Sequence, residues 1–392
     1  MRKTAAVTLI LICLLGLSAY CLHTTKAQYQ GHITIIVDGT VSPSSAPIVQ
    51  KGNTYTLTSD VKGDIFIRKS NITFNGNGHT VDQYATSRDQ GNAYGIYLGH
   101  VYNVTVANTT IKNTGNGIYA INQPTAGIYV DYGGSNVIIG NNVVNNHHAM
   151  AFLESNNNIV TQNNFTNNNN PTGIVGSVSA VMFWGSSNNT IYHNNFIGNI
   201  SPAGTAGFNS PSSGNAWDNG EEGNFWDDYN GTDADGDGIG DTPYVFEFES
   251  IFRYSLITDR YPLIKPFNRT LYLLKTTPPK ISVLSPVNQV FNGSSIPLFF
   301  TVDKQVSWMG YSLDGENNVT VAGNSTITEL TNGLHNITVY AEDTFGNEAA
   351  SETITFNVDV PEPFPTTLVI ASVIIVTIVV LGLLIYFKKR KH

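Results

Sequence analysis

The chain has 392 residues and a net charge of −9 at pH 7. No Lys or Arg occurs between Lys112 and Arg253, which excludes nucleic acid and other polyanions as partners of that stretch. Both cysteines, Cys13 and Cys21, lie in the apolar N-terminal segment, so the chain beyond it can form neither disulfides nor thiolate metal sites.

Residues 1–27 read as a signal peptide. Arg2 and Lys3 precede an apolar run, and Thr25-Lys26-Ala27 offers a small-residue cleavage site. Beyond it lie about a dozen Asn-x-Ser/Thr sequons, including Asn103, Asn164, Asn292 and Asn336, as expected of a secreted glycoprotein. Residues 28–62 hold short strand patterns, His32-Ile-Thr-Ile-Ile-Val and Thr54-Tyr-Thr-Leu. These are expected to form a β cap over the first open edge of the sheets built by residues 63 onward.

Residues 63–215 carry a repeat. Asn followed by an alternating apolar/polar strand recurs at Asn71-Ile-Thr-Phe, Asn103-Val-Thr-Val, Asn136-Val-Ile-Ile, Asn158-Ile-Val-Thr and Asn189-Thr-Ile-Tyr. A second phrase precedes the last four copies: Gly95-Ile-Tyr-Leu, Gly127-Ile-Tyr-Val, Ala149-Met-Ala-Phe and Ala180-Val-Met-Phe. The base period is about 22 residues, read between Gly95 and Gly117 and between Gly127 and Ala149, with insertions such as Thr166 to Val178 at one corner. Strand phrases at a fixed offset predict a right-handed parallel β-helix, in which stacking buries a core that no single coil could bury.

Asn136-Val-Ile-Ile-Gly-Asn-Asn and Asn189-Thr-Ile-Tyr-His-Asn-Asn-Phe resemble the coils of the periplasmic copper-binding protein (NosD) family. The closing segments Gly223-Asn-Phe-Trp-Asp-Asp-Tyr, Gly238-Ile-Gly-Asp-Thr-Pro-Tyr and Asp259-Arg-Tyr-Pro-Leu resemble those of its archaeal surface relatives. The resemblance implies a β-helix of carbohydrate-binding-and-hydrolase type and raises the question of copper. Copper favours imidazole, thiolate or thioether donors. The coils hold only Met150, Met182 and scattered His, with His147-His148 the one adjacent pair. That pair is expected in a solvated turn.

Residues 216–267 are expected to close the β-helix as an acidic cap. Within it, Asp233, Asp235 and Asp237 fall at positions 1, 3 and 5 of a calcium-type loop, Ile239 offers its backbone carbonyl at 7, and Asp241 stands at 9. Position 12 is Tyr244, where such a loop would place a bidentate Glu. Glu221, Glu222, Asp227 or Asp228 are the nearby acids that could complete a structural calcium site.

Catalysis would need more. A lyase needs a cationic base, which the Lys/Arg-free stretch lacks, and a hydrolase needs two facing carboxylic groups roughly 5 to 9.5 Å apart. Asp131 and Glu154 follow equivalent strand phrases; they form the candidate catalytic pair, at about the 4.8 Å strand spacing. Tyr97, Tyr119, Tyr129, Trp184 and Trp217 could stack on sugar rings instead.

Residues 278–360 alternate short strand patterns with turns at Asn292-Gly293, Asp314-Gly315 and Asn332-Gly333, predicting an immunoglobulin-like β-sandwich that serves as a spacer. Residues 361–365 form a Pro-rich stalk, and 366–387 are apolar throughout. A helix of that length, at about 1.5 Å per residue, spans a hydrocarbon core of roughly 30 Å. The basic tail 388–392 would place the C-terminus in the cytoplasm.

The fold expected is thus all-β: a right-handed parallel β-helix, a small immunoglobulin-like β-sandwich and one C-terminal transmembrane helix. The expected role is a cell-surface protein that recognises glycan or builds the envelope. A copper-binding accessory role and a hydrolase or lyase acting on a neutral glycan are the alternatives, and removal of the C-terminus by a transpeptidase-like enzyme stays open.

Overall fold

The computed structural model describes residues 28–83, 93–114, 125–168, 179–199, 201–206, 212–250, 253–361 and 366–390. The expected signal peptide and most of the stalk lie outside the described residues. The chain divides into two compact units, Met1–Arg269 and Thr270–His392.

The first unit is a right-handed parallel β-helix with three strands per coil. Its first sheet stacks Ile33–Ile35, Ile65–Ile67, Tyr94–Gly99, Ala126–Asp131, His148–Leu153, Val181–Trp184 and Ala203–Ala206 in parallel register. The second runs from Thr54–Leu57 to Thr190–Tyr192, and the third from Tyr29–Gln30 to Phe225–Trp226. Alternation along each strand puts one set of side chains inside, and the register lines them into rows. Ile67, Leu98, Val130, Phe152 and Phe183 form one row, and Phe74, Val106, Ile138, Val160 and Ile191 another. Every one of these is buried, each contributing about 1.5–3 kcal/mol.

The second sequence phrase aligns as expected, with Ile96, Ile128, Met150 and Val181 in register. The Asn phrase does not. Asn136, Asn158 and Asn189 occupy one buried position, whose counterpart in the preceding coil is Val104, not Asn103, because Val106 pairs with Ile138. Asn71 and Asn103 sit one residue earlier, exposed and left-handed at φ 60° and 56°, stacked with Ser135, Asn157 and Asn188. Two corner positions, one facing in and one facing out, share the same short motif.

The inward asparagines build ladders. The side-chain amide of Asn136 donates to Asn158 at 3.0 Å, Asn158 to Asn189 at 2.8 Å and Asn189 to Asn215 at 2.9 Å. Two more ladders run through Asn141, Asn163, Asn194 and Asn224, and through Asn146, Asn168 and Asn199. Each carbonyl oxygen also accepts a backbone amide of the preceding coil, so these buried polar groups are satisfied.

The period between Gly127 and Ala149 is confirmed by the pairing of Ala126 with His148. Gly95 instead lies level with Gly127, and Gly117 lies outside the described residues. The longer connections fall at one corner, between the third strand of one coil and the first of the next.

Stacking also extends beyond 63–215. Ile33–Ile35, Thr54–Leu57 and Val61–Lys62 already pair in parallel with the next coil, so the expected cap at 28–62 is largely a coil itself. Only Val41–Ser42 and Ile48–Lys51 add antiparallel edges. At the far end Phe225–Trp226 continues the third sheet, and Trp226 stacks between Phe196 and Tyr244 at 4.3 and 4.4 Å. The hairpin Tyr244–Ser250/Arg253–Asp259 comes next in the chain.

In the second unit, two sheets form an immunoglobulin-like β-sandwich. Ile281–Ser285, Ile296–Val302 and Ser325–Ile327 make one; Val306–Leu313, Gly333–Asp343 and Ile354–Val358 dominate the other. Leu298 and Ile296 of the first pack with Val339, Ile337 and Phe356 of the second in one core. Helix Thr366–Lys389 contains a stretch, Val369–Lys389, long and apolar enough to cross a membrane.

Candidate functional site

The outer face of the first sheet carries a second apolar cluster. Tyr94, Ala126, Tyr129, Ala151 and Met182 are buried there, with Phe66, Tyr97, Leu153 and Trp184 partly covered. Tyr94 and Tyr129 stack at 4.8 Å and 4°, while Tyr97 lies 4.8 Å from Phe66. Of the aromatics singled out from the sequence, Trp217 joins the main core and Tyr119 lies outside the described residues. Tyr97 and Trp184 keep an exposed surface on this face.

Tyr97 is held from two sides. Its hydroxyl donates to the Asp131 carboxylate one coil away. Its ring crosses Gly99, where a Cβ would come within 2.4 Å of the ring; only glycine leaves that room. Burial first, then the bond to Asp131, pushes the Tyr97 hydroxyl above the ordinary tyrosine range. The phenol therefore stays neutral and acts as a donor.

Asp131 and Glu154 are not in register with each other. Asp131 is level with Leu153, one residue before Glu154, and its carboxylate is engaged by Tyr97. Glu154 sits on the corner at φ 46°, in the turn that His100 and Tyr132 also make with positive φ. A shift of one residue moves a side chain to another face, which is why equivalent phrases did not yield an equivalent pair.

Sequence reading missed an open trough of about 650 Å³ beside Tyr97. It is lined by Val37, Arg68, Lys69, Ser70, Asn71, Tyr97, Gly99 and His100. Three successive coils contribute, so no local motif announces it. The one legible signal is that Arg68 and Lys69 are an adjacent basic pair inside the coils.

The acidic loop brings Asp233, Asp235 and Asp237 together, one carboxylate oxygen of each lying within 4.8 Å of the others. Asp233 accepts the amides of Gly236 and Gly238 at 2.8 and 3.1 Å, and those glycines adopt φ 78° and 93°. Asp241 is not in this group: it accepts from Thr232 Oγ1 at 3.0 Å and the Ala234 amide at 2.9 Å. Ile239 is bridged to Leu263, fixing the loop's exit. Three of the four nearby acids are engaged elsewhere. Glu222 contacts His193, Asp227 accepts the Gly198 amide, and Asp228 the Tyr244 hydroxyl.

His147 and His148 are not a solvated turn. His148 opens a first-sheet strand, is 4% exposed, and its Nδ1 lies 2.7 Å from the Ser179 carbonyl. Its ring meets Trp184 edge-on at 5.8 Å. His147 Nδ1 is buried without a hydrogen-bond partner, and burial lowers the pKa of its imidazole. Among the described residues no third His, Cys or acid converges on the pair. Two imidazoles by themselves are an incomplete donor set for copper.

Coils of this architecture define a parallel β-helix protein with an aromatic cluster on the outer face of its first sheet. The family described as periplasmic copper-binding protein (NosD) matches residues 28–231, just over half of the chain, and the chain belongs to that family. A similar solved structure is the enzymatically active domain of tailspike protein 2 of bacteriophage CBA120. It is 10% identical, with a TM-score of 0.28 over 78% of this chain and 53% of that one. The chain thus spans about half the length of that structure. No curated protein matches it.

Proposed function

We propose that the chain is a single-pass, membrane-anchored surface protein whose β-helix recognises glycan without cleaving it. The observation that carries this reading is the open trough lined by the partly exposed Tyr97, where its ring can pack on a sugar and polar side chains can meet the hydroxyls. Helix Thr366–Lys389, with Lys388, Lys389 and Arg390 at its end, supports an anchor whose C-terminus is cytoplasmic.

The test is a glycan array probed with the protein in lipid nanodiscs. Binding is expected and should survive the substitution Glu154→Gln. A zymogram in which the wild-type protein clears polysaccharide would replace this reading with a hydrolase or lyase.

The acidic loop is proposed as a structural calcium site at the C-terminal end of the β-helix. Hard carboxylate oxygens prefer Ca²⁺ to transition metals. Three carboxylates repel one another until a cation joins them. A copper role inherited from the family would need ligands beyond His147 and His148. Calorimetric titration with Cu(I) and Cu(II) is expected to give no binding tighter than micromolar.

A further inference from the structure

We infer that the trough at Arg68, Lys69 and Tyr97 is selective for anionic sugars, its cations pairing with a uronate carboxylate or a sugar sulfate. This rests on the glycan reading above and specifies it. The β-helix has no Lys or Arg from 113 to 252, yet two adjacent cations line its 650 Å³ trough. The ion pairs within the β-helix unit engage His32, His79, Lys112, His193 and Arg260. Among the described residues neither Arg68 nor Lys69 lies within ion-pair distance of a carboxylate; Asp38 acts on Lys69 only from farther away.

The remaining lining suits a sugar rather than a bare anion. The Tyr97 ring is laid across Gly99 and tethered by Asp131, presenting a fixed aromatic surface. Ser70, Asn71 and His100 add hydroxyl, amide and imidazole groups around it. An aromatic surface packs against the apolar face of a pyranose, and a guanidinium binds a carboxylate or sulfate through two parallel N–H donors. Two cations in one trough do not make the long basic track that a nucleic-acid backbone requires.

The test measures affinity of the full chain in nanodiscs for short oligogalacturonates and for the same oligomers methyl-esterified, which removes the charge and leaves the sugar rings unchanged. A chondroitin sulfate oligosaccharide distinguishes sulfate from carboxylate as the source of the anion. Binding of either acidic oligomer, weakened at least about tenfold by esterification or desulfation, is the expected result. Combining Arg68→Gln with Lys69→Gln should weaken it by a similar factor while leaving the melting temperature unchanged. Should that variant prove unstable, the ester comparison on the wild type decides alone. Equal binding of charged and neutral oligomers overturns the inference and leaves glycan recognition standing. So does equal binding of a single-stranded DNA. If no glycan of any kind binds, the proposed function fails with it.

Discussion

The N-terminal coils and the later coils solve the same corner differently. At one inward position the early coils place Ile72 and Val104, both buried in the apolar core, whereas the later ones place Asn136, Asn158 and Asn189, each fully buried. Either solution fills the corner. An apolar side chain works alone, but an asparagine works only if the next coil supplies another to accept its amide. The seam between the two regimes lies at Val104, whose backbone amide donates to Asn136 Oδ1 at 3.0 Å and so ends the ladder. Charge divides the same way, with Arg68 and Lys69 toward one end and the Asp233–Asp235–Asp237 loop toward the other.

The sharpest way to break this contrast is Asn158→Ala. Asn158 Oδ1 accepts both the amide and the side chain of Asn136 at 3.0 Å, and its own amide donates to Asn189. Removal strands several buried polar groups, so a loss of about 4 kcal/mol is expected in the unfolding transition of the β-helix. Val104→Ala, on the apolar side of the seam, should cost about 2 kcal/mol. Equal losses would mean that the ladder is no more cooperative than ordinary packing.

The later half also contains a buried carboxyl. Asp259, fully buried, accepts Trp226 Nε1 at 2.8 Å and the Asn224 amide at 2.7 Å. Burial outweighs these bonds and pushes its pKa from 3.8 up to about 6. Between those values the folded state holds more protons than the unfolded one, so stability falls as pH rises through the window. The contribution, on the order of 3 kcal/mol, is present below pH about 4 and lost above about 6. Asp259→Asn should flatten that part of a melting-temperature profile; a profile unchanged by the substitution would contradict the assignment.

Calcium comes next. At a concentration about a hundredfold above its dissociation constant, it should stabilise the β-helix by about 2.7 kcal/mol, seen as a rise in melting temperature that chelator reverses. No shift in a variant combining Asp233→Asn with Asp237→Asn would locate the effect in this loop; an undiminished shift would place the ion elsewhere.

The smallest effect on stability belongs to the early coils. Gly99→Ala drives a methyl into the Tyr97 ring and should cost about 1–2 kcal/mol. Its larger signature is weakened glycan binding, because the displaced ring no longer presents its face beside the trough. Normal binding by this variant would remove Tyr97 from the recognition surface.

The sequence by itself determined the parallel β-helix, its first-sheet phrase, the sandwich and the apolar terminal helix, because hydrophobic periodicity and turn residues are local properties. It also brought Asp233, Asp235 and Asp237 into view, since a loop of alternating ligands is written in consecutive residues. Tertiary structure alone decided which Asn faces in, because Asn103 and Asn136 head nearly identical strands one register position apart. It likewise set Asp131 and Glu154 one register position apart and assembled the trough from three coils. Parallel stacking joins residues about 22 to 32 positions apart, and a slip of one residue, invisible in a motif, sends a side chain to a different face.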